Sequence, residues 1–287
     1  MKLGAVFPQT ESTADPGALR EYVEAIEAMG YDHLEFYDHV LGVSPDRPGG
    51  WTGPYTHEHV FHEVLVTLGF LAGITKRLEL VTSILILPQR QTALVAKQAA
   101  EVDLLSGGRL RLGVGLGWNR VEMDGLGEDF ATRGRRMEEQ VALLRRLWTE
   151  PVVDFAGEFN VISNAGLNPL PGRQIPIWIG GTVEAAKRRA ARLADGWMMN
   201  LPTEADPSAA LDALRGYVAE AGRDVETFGV DVRIGVRKGL EETRQRATEW
   251  RDRGVSHVSI NTMAAGLSWP AGHIDALKAV REALAAD

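Results

Sequence analysis

The sequence predicts a (β/α)8 barrel with an insertion after the fourth strand. Three observations point there. Short apolar strands and amphipathic helices alternate along the whole chain, eight of each. The segment from Leu78 to Leu87, LELVTSILIL, is almost continuously apolar, as in a parallel strand covered on both faces. Glycines and polar side chains collect just after the strands, where such barrels carry their chemistry. A doubly wound sheet in two lobes fits the same alternation and is the runner-up.

Residues 2–7 are the first strand, stopped by Pro8. Asp15-Pro16 opens a helix with a cap and a first-turn proline. Leu19, Val23 and Ile26 keep helical spacing, and Gly30 closes it. His33 to Tyr37 is the second strand, followed by Asp38-His39. Residues 41–62 break the rhythm with four glycines, three prolines, Trp51 and Tyr55, and read as a long active-site loop. His57, His59 and His62 end this region. A zinc-protease HExxH motif would need histidine where Phe61 stands, so no metal site is assigned. Val64 to Leu71 forms the second helix, Leu78 to Leu87 the third strand and residues 92–105 the third helix.

The fourth strand carries the most informative stretch, RLRLGVGLGWNRVE at 109–122. Leu110, Leu112 and Val114 alternate with Arg111, Gly113 and Gly115. A dinucleotide fingerprint GxGxxG would need glycine where Trp118 stands, so that motif is absent. A tight turn and a ligand-facing backbone remain equal readings of Gly113, Gly115 and Gly117. Arg133 to Trp148 is a charged amphipathic helix. Residues 152–174 read as the insertion, with a hairpin near Phe155 to Phe159. Strands at 175–179, 196–199, 228–236 and 255–262 alternate with helices after Gly180-Gly181-Thr182, at 211–221, at 241–253 and at 274–284. Nothing marks a linker, so 1–287 reads as one domain.

Composition narrows the function classes. The 287 residues are 45% hydrophobic, enough for a sizeable core. A formal charge of −8 with no basic block argues against nucleic acid and anionic membrane as partners. With no cysteine there is no disulfide, thiol nucleophile or thiolate metal ligand. No apolar run has the length of a membrane span, and the first residues read directly as a strand, so a cytoplasmic location is expected.

In a barrel these strand ends converge. The second delivers Asp38 and His39, the third Ser83-Ile84, the fourth Gly115 to Asn119, the fifth Gly180-Gly181-Thr182 at a helix start. Free N–H groups and the positive helix end there favour an anion, whereas a bare βα loop capped by Thr182 is the plainer alternative. His39 is a general acid or base, or a structural hydrogen bonder. Asp38 either orients His39 or meets a cofactor edge. Glu122 is a salt-bridge cap for the loop.

Taken together, these segments resemble the luciferase-like flavin and deazaflavin family, and within it the actinobacterial branch of F420-dependent oxidoreductases. The resemblance is carried by DH at 38–39, VTLGFLAGIT at 66–75, LPQRQTALVAKQ at 87–98, DLLSGGRLRLGVGLGWN at 103–119, RGRRMEE at 133–139, PIWIGGT at 176–182 and ADGWM at 194–198. It implies a TIM barrel with a planar isoalloxazine ring across the strand ends. It also implies a bulge with a non-proline cis peptide at Ser83-Ile84 behind the ring. By the same resemblance Asp38 and His39 lie near the reacting carbon. Gly115, Gly117, Trp118 and Asn119 form a wall along the ring, and Gly180, Gly181 and Thr182 follow the ribityl chain and phosphate. Arg90, Lys97 and Arg133 are either phosphate contacts or ordinary salt bridges.

The expected function is an oxidoreductase moving a hydride between coenzyme F420 and a small organic substrate, with His39 handling the accompanying proton. The alternative is an FMN-dependent monooxygenase, which would need a flavin reductase as partner. A second alternative is a barrel that binds a flavin without turnover. The resemblance also implies a homodimer, and the second and third helices are the expected contact. The 41–62 loop maps onto no family pattern, so it leaves the substrate open.

Overall fold

The computed structural model describes residues 1–199 and 206–285. Eight parallel strands close into a barrel: β1 (Lys2–Val6), β2 (His33–Phe36), β3 (Glu79–Ile86), β4 (Leu110–Gly115), β7 (Ile177–Gly180), β8 (Gly196–Met199), β9 (Gly229–Gly235) and β10 (His257–Asn261). Around the barrel they run β1-β10-β9-β8-β7-β4-β3-β2, each paired in parallel with its neighbours. This is the TIM barrel that the alternation predicts.

The helices are α1 (Pro16–Ala28), α2 (Val64–Ile74), α3 (Thr92–Ser106), α4 (Arg120–Gly125), α5 (Arg133–Leu147), α6 (Glu184–Leu193), α7 (Pro207–Glu220), α8 (Leu240–Asp252) and α9 (Ala271–Ala285). Asp15 caps α1 by accepting from Gly17 N at 2.9 Å, as the Asp-Pro signal implies. Gly30 then takes φ +77°, a conformation that favours glycine after a helix. Between β4 and β7 the chain forms α4, α5 and an antiparallel hairpin, β5 (Val153–Ala156) and β6 (Val161–Ala165), which falls within 152–174. The hairpin turn is fixed by Glu139, whose carboxylate accepts from Glu158 N, Phe159 N and Asn160 N.

The main core lies between strands and helices, where residues such as Leu34, Leu68, Leu112, Leu144 and Ile260 are fully buried. The inside of the barrel is different. Its inward side chains on β2, β4, β9 and β10 include His33, Arg111, Asp231 and Ser259. Asp231 accepts from Arg111 Nη1 at 3.1 Å and from Ser259 Oγ at 2.9 Å, and lies 3.2 Å from His33 Nε2. Arg111 also meets Glu79 and stacks over Trp178 at 4.3 Å. Val81, Trp178 and Met198 form a small separate apolar cluster with Ile84 packed on it. No described helix is long and apolar enough to cross a membrane.

Candidate active site

The C-terminal rim brings together the segments singled out above. The peptide between Ser83 and Ile84 is cis, and the pairing register of β3 with β4 shifts between Thr82 and Leu85. The expected bulge is therefore present. Its consequence for the neighbouring strands is specific. A Cβ added at Gly115 would lie 2.7 Å from Ile84 Cδ1, and one at Gly180 would lie 2.7 Å from Ile84 Cγ2. A Cβ at Gly117 would lie 2.6 Å from Ile86 Cγ2. These glycines make room for side chains of β3. On the Cβ side of these glycines the space is taken by Ile84 and Ile86, and Ile84 becomes the floor of the rim. Beside it the Ser83 hydroxyl is buried without a partner among the described residues.

His39 stands at the end of β2 with its side chain 9% exposed. Its Nδ1 lies 2.9 Å from Glu122 Oε2. The other Glu122 oxygen accepts from Val40 N, from Leu41 N at 3.2 Å and from Gln89 Nε2 at 3.4 Å. Burial raises the Glu122 carboxyl, but hydrogen bonds from His39 and the two amides outweigh it and hold the group below the usual carboxylate range. An ionised Glu122 only accepts, so His39 Nδ1 donates, and Nε2 is the nitrogen left for other partners. Glu122 thus caps the loop, as expected, and also orients His39.

The orienting alternative for Asp38 is corrected by this geometry. Its carboxylate accepts from Ile86 N at 2.9 Å and from Arg90 Nη2 at 2.7 Å, while Arg90 reaches on to Glu63 at 2.8 Å. Burial pushes the Asp38 carboxyl up despite Arg90. Glu63 in turn caps α2 through Val66 N. Asp38 therefore ties β2, β3 and α2 together. Of the three cations singled out, Arg90 belongs to this chain, Lys97 donates to Asn168 O, and Arg133 donates to Phe130 O and lies over the Phe130 ring.

Asn119 is buried and caps α4, accepting from Glu122 N at 3.2 Å. This sets Glu122 one turn into α4 and aims it at His39. Trp118, 44% exposed, faces the His39 ring edge-on at 5.4 Å. The 41–62 loop completes an aromatic enclosure, with Tyr55 and Phe61 at 5.2 Å and 4.9 Å from His39 and Trp51 stacked on Trp118. Gln9 anchors the foot of this loop, donating to Tyr37 O and accepting from His62 N. Gly181, at φ +139°, packs against Ala186 and accepts from Trp197 Nε1 at 3.0 Å through its carbonyl. The cap of α6 is Val183, without a side-chain bond, so Thr182 does not close that helix. Its first amides carry no side-chain cap.

Residues 1–286 match the luciferase-like monooxygenase family. The chain belongs to that family. It is 36% identical over 198 residues to an uncharacterized protein of Mycobacterium tuberculosis, covering 67% of this chain and 68% of that one. It is 30% identical over 241 residues to the F420-dependent glucose-6-phosphate dehydrogenase of Nakamurella multipartita, covering 82% and 67%. It is 32% identical over 186 residues to the FMNH(2)-dependent dimethylsulfone monooxygenase of Pseudomonas fluorescens (strain Pf0-1), covering 64% of this chain and half of that protein. The fold is also that of an F420-dependent secondary alcohol dehydrogenase solved with an F420-acetone adduct, at TM-score 0.78, 18% identity and 99% and 98% coverage. Members of this family are oxidoreductases, and the barrel expected from the sequence is theirs.

A further set of polar residues was missed. His33, Glu35 and Asp231 meet inside the barrel with ligand atoms within 4.8 Å of one another. Asp231 already pairs with Arg111, which supplies a positive charge at that spot. The sequence signal was a polar residue at every second position of an otherwise apolar strand, as in Val230-Asp231-Val232-Arg233-Ile234.

Proposed function

We propose that this protein is an F420-dependent oxidoreductase acting on a small organic substrate. The observation that carries the reading is the Glu122-anchored His39 after β2, next to the strand that carries the Ser83-Ile84 bulge, in a family with F420-dependent members. Ile84 provides a flat apolar floor, the partnerless Ser83 hydroxyl a hydrogen bond, and Trp118 a wall, which together suit a planar heteroaromatic ring. Gly180, Gly181 and Thr182, beside the uncapped first turn of α6, would hold the phosphate end. When bound, the coenzyme supplies two-electron hydride chemistry.

The chain's own residues do the rest. Glu122 fixes the imidazole so that Nε2 holds or takes the proton of the reacting substrate group. Trp51, Tyr55, Phe61 and Trp118 exclude water around that nitrogen. Asp38, through Arg90, keeps the ends of β2 and β3 in register. The similarity to an FMNH(2)-dependent relative favours a second reading, an FMN monooxygenase. Titrating the purified protein separately with F420 and FMN, followed by visible absorbance, separates them: tight binding of F420 alone is expected, and tight binding of FMN alone refutes the first reading. His39→Ala is expected to lower turnover by about 100-fold or more while leaving F420 affinity nearly intact. A second copy of this chain remains the proposed partner, through Val66, Phe70, Leu94 and Leu105 exposed on α2 and α3; a monomeric mass in solution would remove it.

A further inference from the structure

The cations inside and above the barrel are not equally satisfied. Arg111 has two carboxylate partners, and so has Arg90. Arg233, on β9, makes no salt bridge with a described residue. It is half-buried, and its guanidinium carbon lies 5.2 Å from the centre of the Tyr37 ring at the end of β2. Burial works against its charge, while the Tyr37 side chain, through its charge and a hydrogen bond, and the nearby Glu35 and Asp231 favour it. Asp231 is committed to Arg111, Ser259 and His33. Glu35 makes no ion pair with Arg233, and burial and then the Asp231 charge push its carboxyl up to about 8. Among the described residues no carboxylate pairs with this guanidinium, which leaves charge-assisted donors for an anion at the mouth.

Its place in the barrel says on which side that something sits. In the strand order, β9 is four strands from β3 whichever way the barrel is counted. Arg233 therefore faces the Ser83-Ile84 bulge from directly across the mouth. Burial and then Tyr37 raise the Tyr55 phenol, and Arg233 is near enough to oppose them in part. Tyr55 is the same ring that packs on His39.

We propose that Arg233 is a specificity-determining residue that binds an oxyanion of the substrate, so that the substrate class is a small organic acid carrying a carboxylate, sulfonate or phosphate. This deepens the proposed function and rests on its placement of the ring against the bulge. With the ring on the β3 side, an anion held on the β9 side spans the substrate across the mouth, its reacting carbon between Ile84 and His39. The planar fork of the guanidinium suits such oxyanions in two-point contact.

The test uses matched probes, since the substrate is unidentified. Benzoate is compared with benzamide, methanesulfonate with methanesulfonamide, and methyl phosphate with dimethyl methylphosphonate. Binding to the F420-loaded protein is measured by calorimetry and by tryptophan fluorescence, for the wild type, Arg233→Met and Arg233→Lys. At least one anion is expected to bind about tenfold or more tighter than its neutral twin. That preference should vanish in R233M and survive, reduced severalfold, in R233K, with F420 affinity unchanged within about twofold in both. Equal binding within all three pairs, or a preference that survives R233M, overturns the proposal. So does an equal loss of F420 affinity in R233M, which would give Arg233 to the cofactor. Should R233M not fold, R233K decides: anion affinity unchanged from wild type overturns the proposal. If F420 does not bind at all, the proposed function fails. The same probe pairs on the cofactor-free protein then decide the anion site by themselves.

Discussion

Ile84 fits against Gly115 and Gly180 at once, and that contact can be tested by a double-mutant cycle. Gly115→Ala by itself should favour a strand by about 0.5–1 kcal/mol, since glycine costs backbone entropy. The new Cβ, however, would sit 2.7 Å from Ile84 Cδ1 and 2.8 Å from Cγ1. That is roughly 1 Å inside ordinary carbon–carbon contact. Ile84 has little room to turn away. Its χ1 is stiff, and its Cγ2 already approaches Gly180. Overpacking of this kind costs about 1–3 kcal/mol, so Gly115→Ala should destabilise by on the order of 1 kcal/mol net. In an Ile84→Ala background the clash is gone, and the same substitution should stabilise by about 0.5–1 kcal/mol. Urea unfolding of the four proteins of the cycle measures the difference. Additivity within about 0.5 kcal/mol would refute the contact and return these glycines to a ligand. The readout is stability alone, so it stands whatever cofactor is bound.

Glu122→Gln should reverse the hydrogen bond to His39: the carboxamide still accepts from Val40 N and Leu41 N but offers N–H to Nδ1, moving the imidazole proton to Nε2. Turnover should fall by about 10–100-fold with cofactor affinity little changed, and nitrogen NMR of the ring should report the tautomer switch. Glu122→Ala should also leave the Val40 and Leu41 amides without a partner and lower stability by about 1–3 kcal/mol. The barrel interior predicts opposite pH effects. Burial, and then Arg111, hold His257 down to about 2 against an ordinary 6.5, so the unfolded chain takes a proton that the folded one refuses and stability falls as pH drops below about 6.5. Glu35 keeps its proton up to about 8 against an ordinary 4.5. The unfolded chain then binds fewer protons, so this group's contribution falls as pH rises through that window. The Tm of Glu35→Gln relative to wild type should therefore become more positive from pH 5 to pH 8, and a pH-independent difference would refute the assignment.

Most of the fold was legible because burial on both faces leaves a plain signature: LELVTSILIL can hardly be anything but a central parallel strand. The short helix α4 was overlooked, although Asn119 followed three residues later by Glu122 is a capping-box spacing. Its six residues carry too little apolar periodicity to stand out. The DH pair at 38–39 and the GWN at 117–119 marked the right rim. Their division of labour did not show, because the partner of His39 lies 83 residues away and that of Asp38 lies 52 away. Local sequence carries no information about which carboxylate reaches which cation. The glycines are ambiguous in the sequence for a related reason. A missing side chain shows that something comes close, but not whether it belongs to a ligand or to Ile84 on the next strand.

The same limit explains why Arg233 passed unnoticed. In Val230-Asp231-Val232-Arg233-Ile234 the two charges, spaced by two, look like an internal ion pair on one face of a strand. The barrel breaks that pairing. Arg111 from β4 reaches across to Asp231 at 3.1 Å, and Ser259 from β10 takes its other oxygen. Asp231 is thus taken by Arg111, Ser259 and His33, and among the described residues no carboxylate pairs with Arg233. A polar interior closed at the bottom by Arg111 and Asp231 thus holds a positive charge at the mouth, opposite the bulge. A barrel filled with aliphatic layers could not support a guanidinium there, because nothing beneath it would offset the cost of burial.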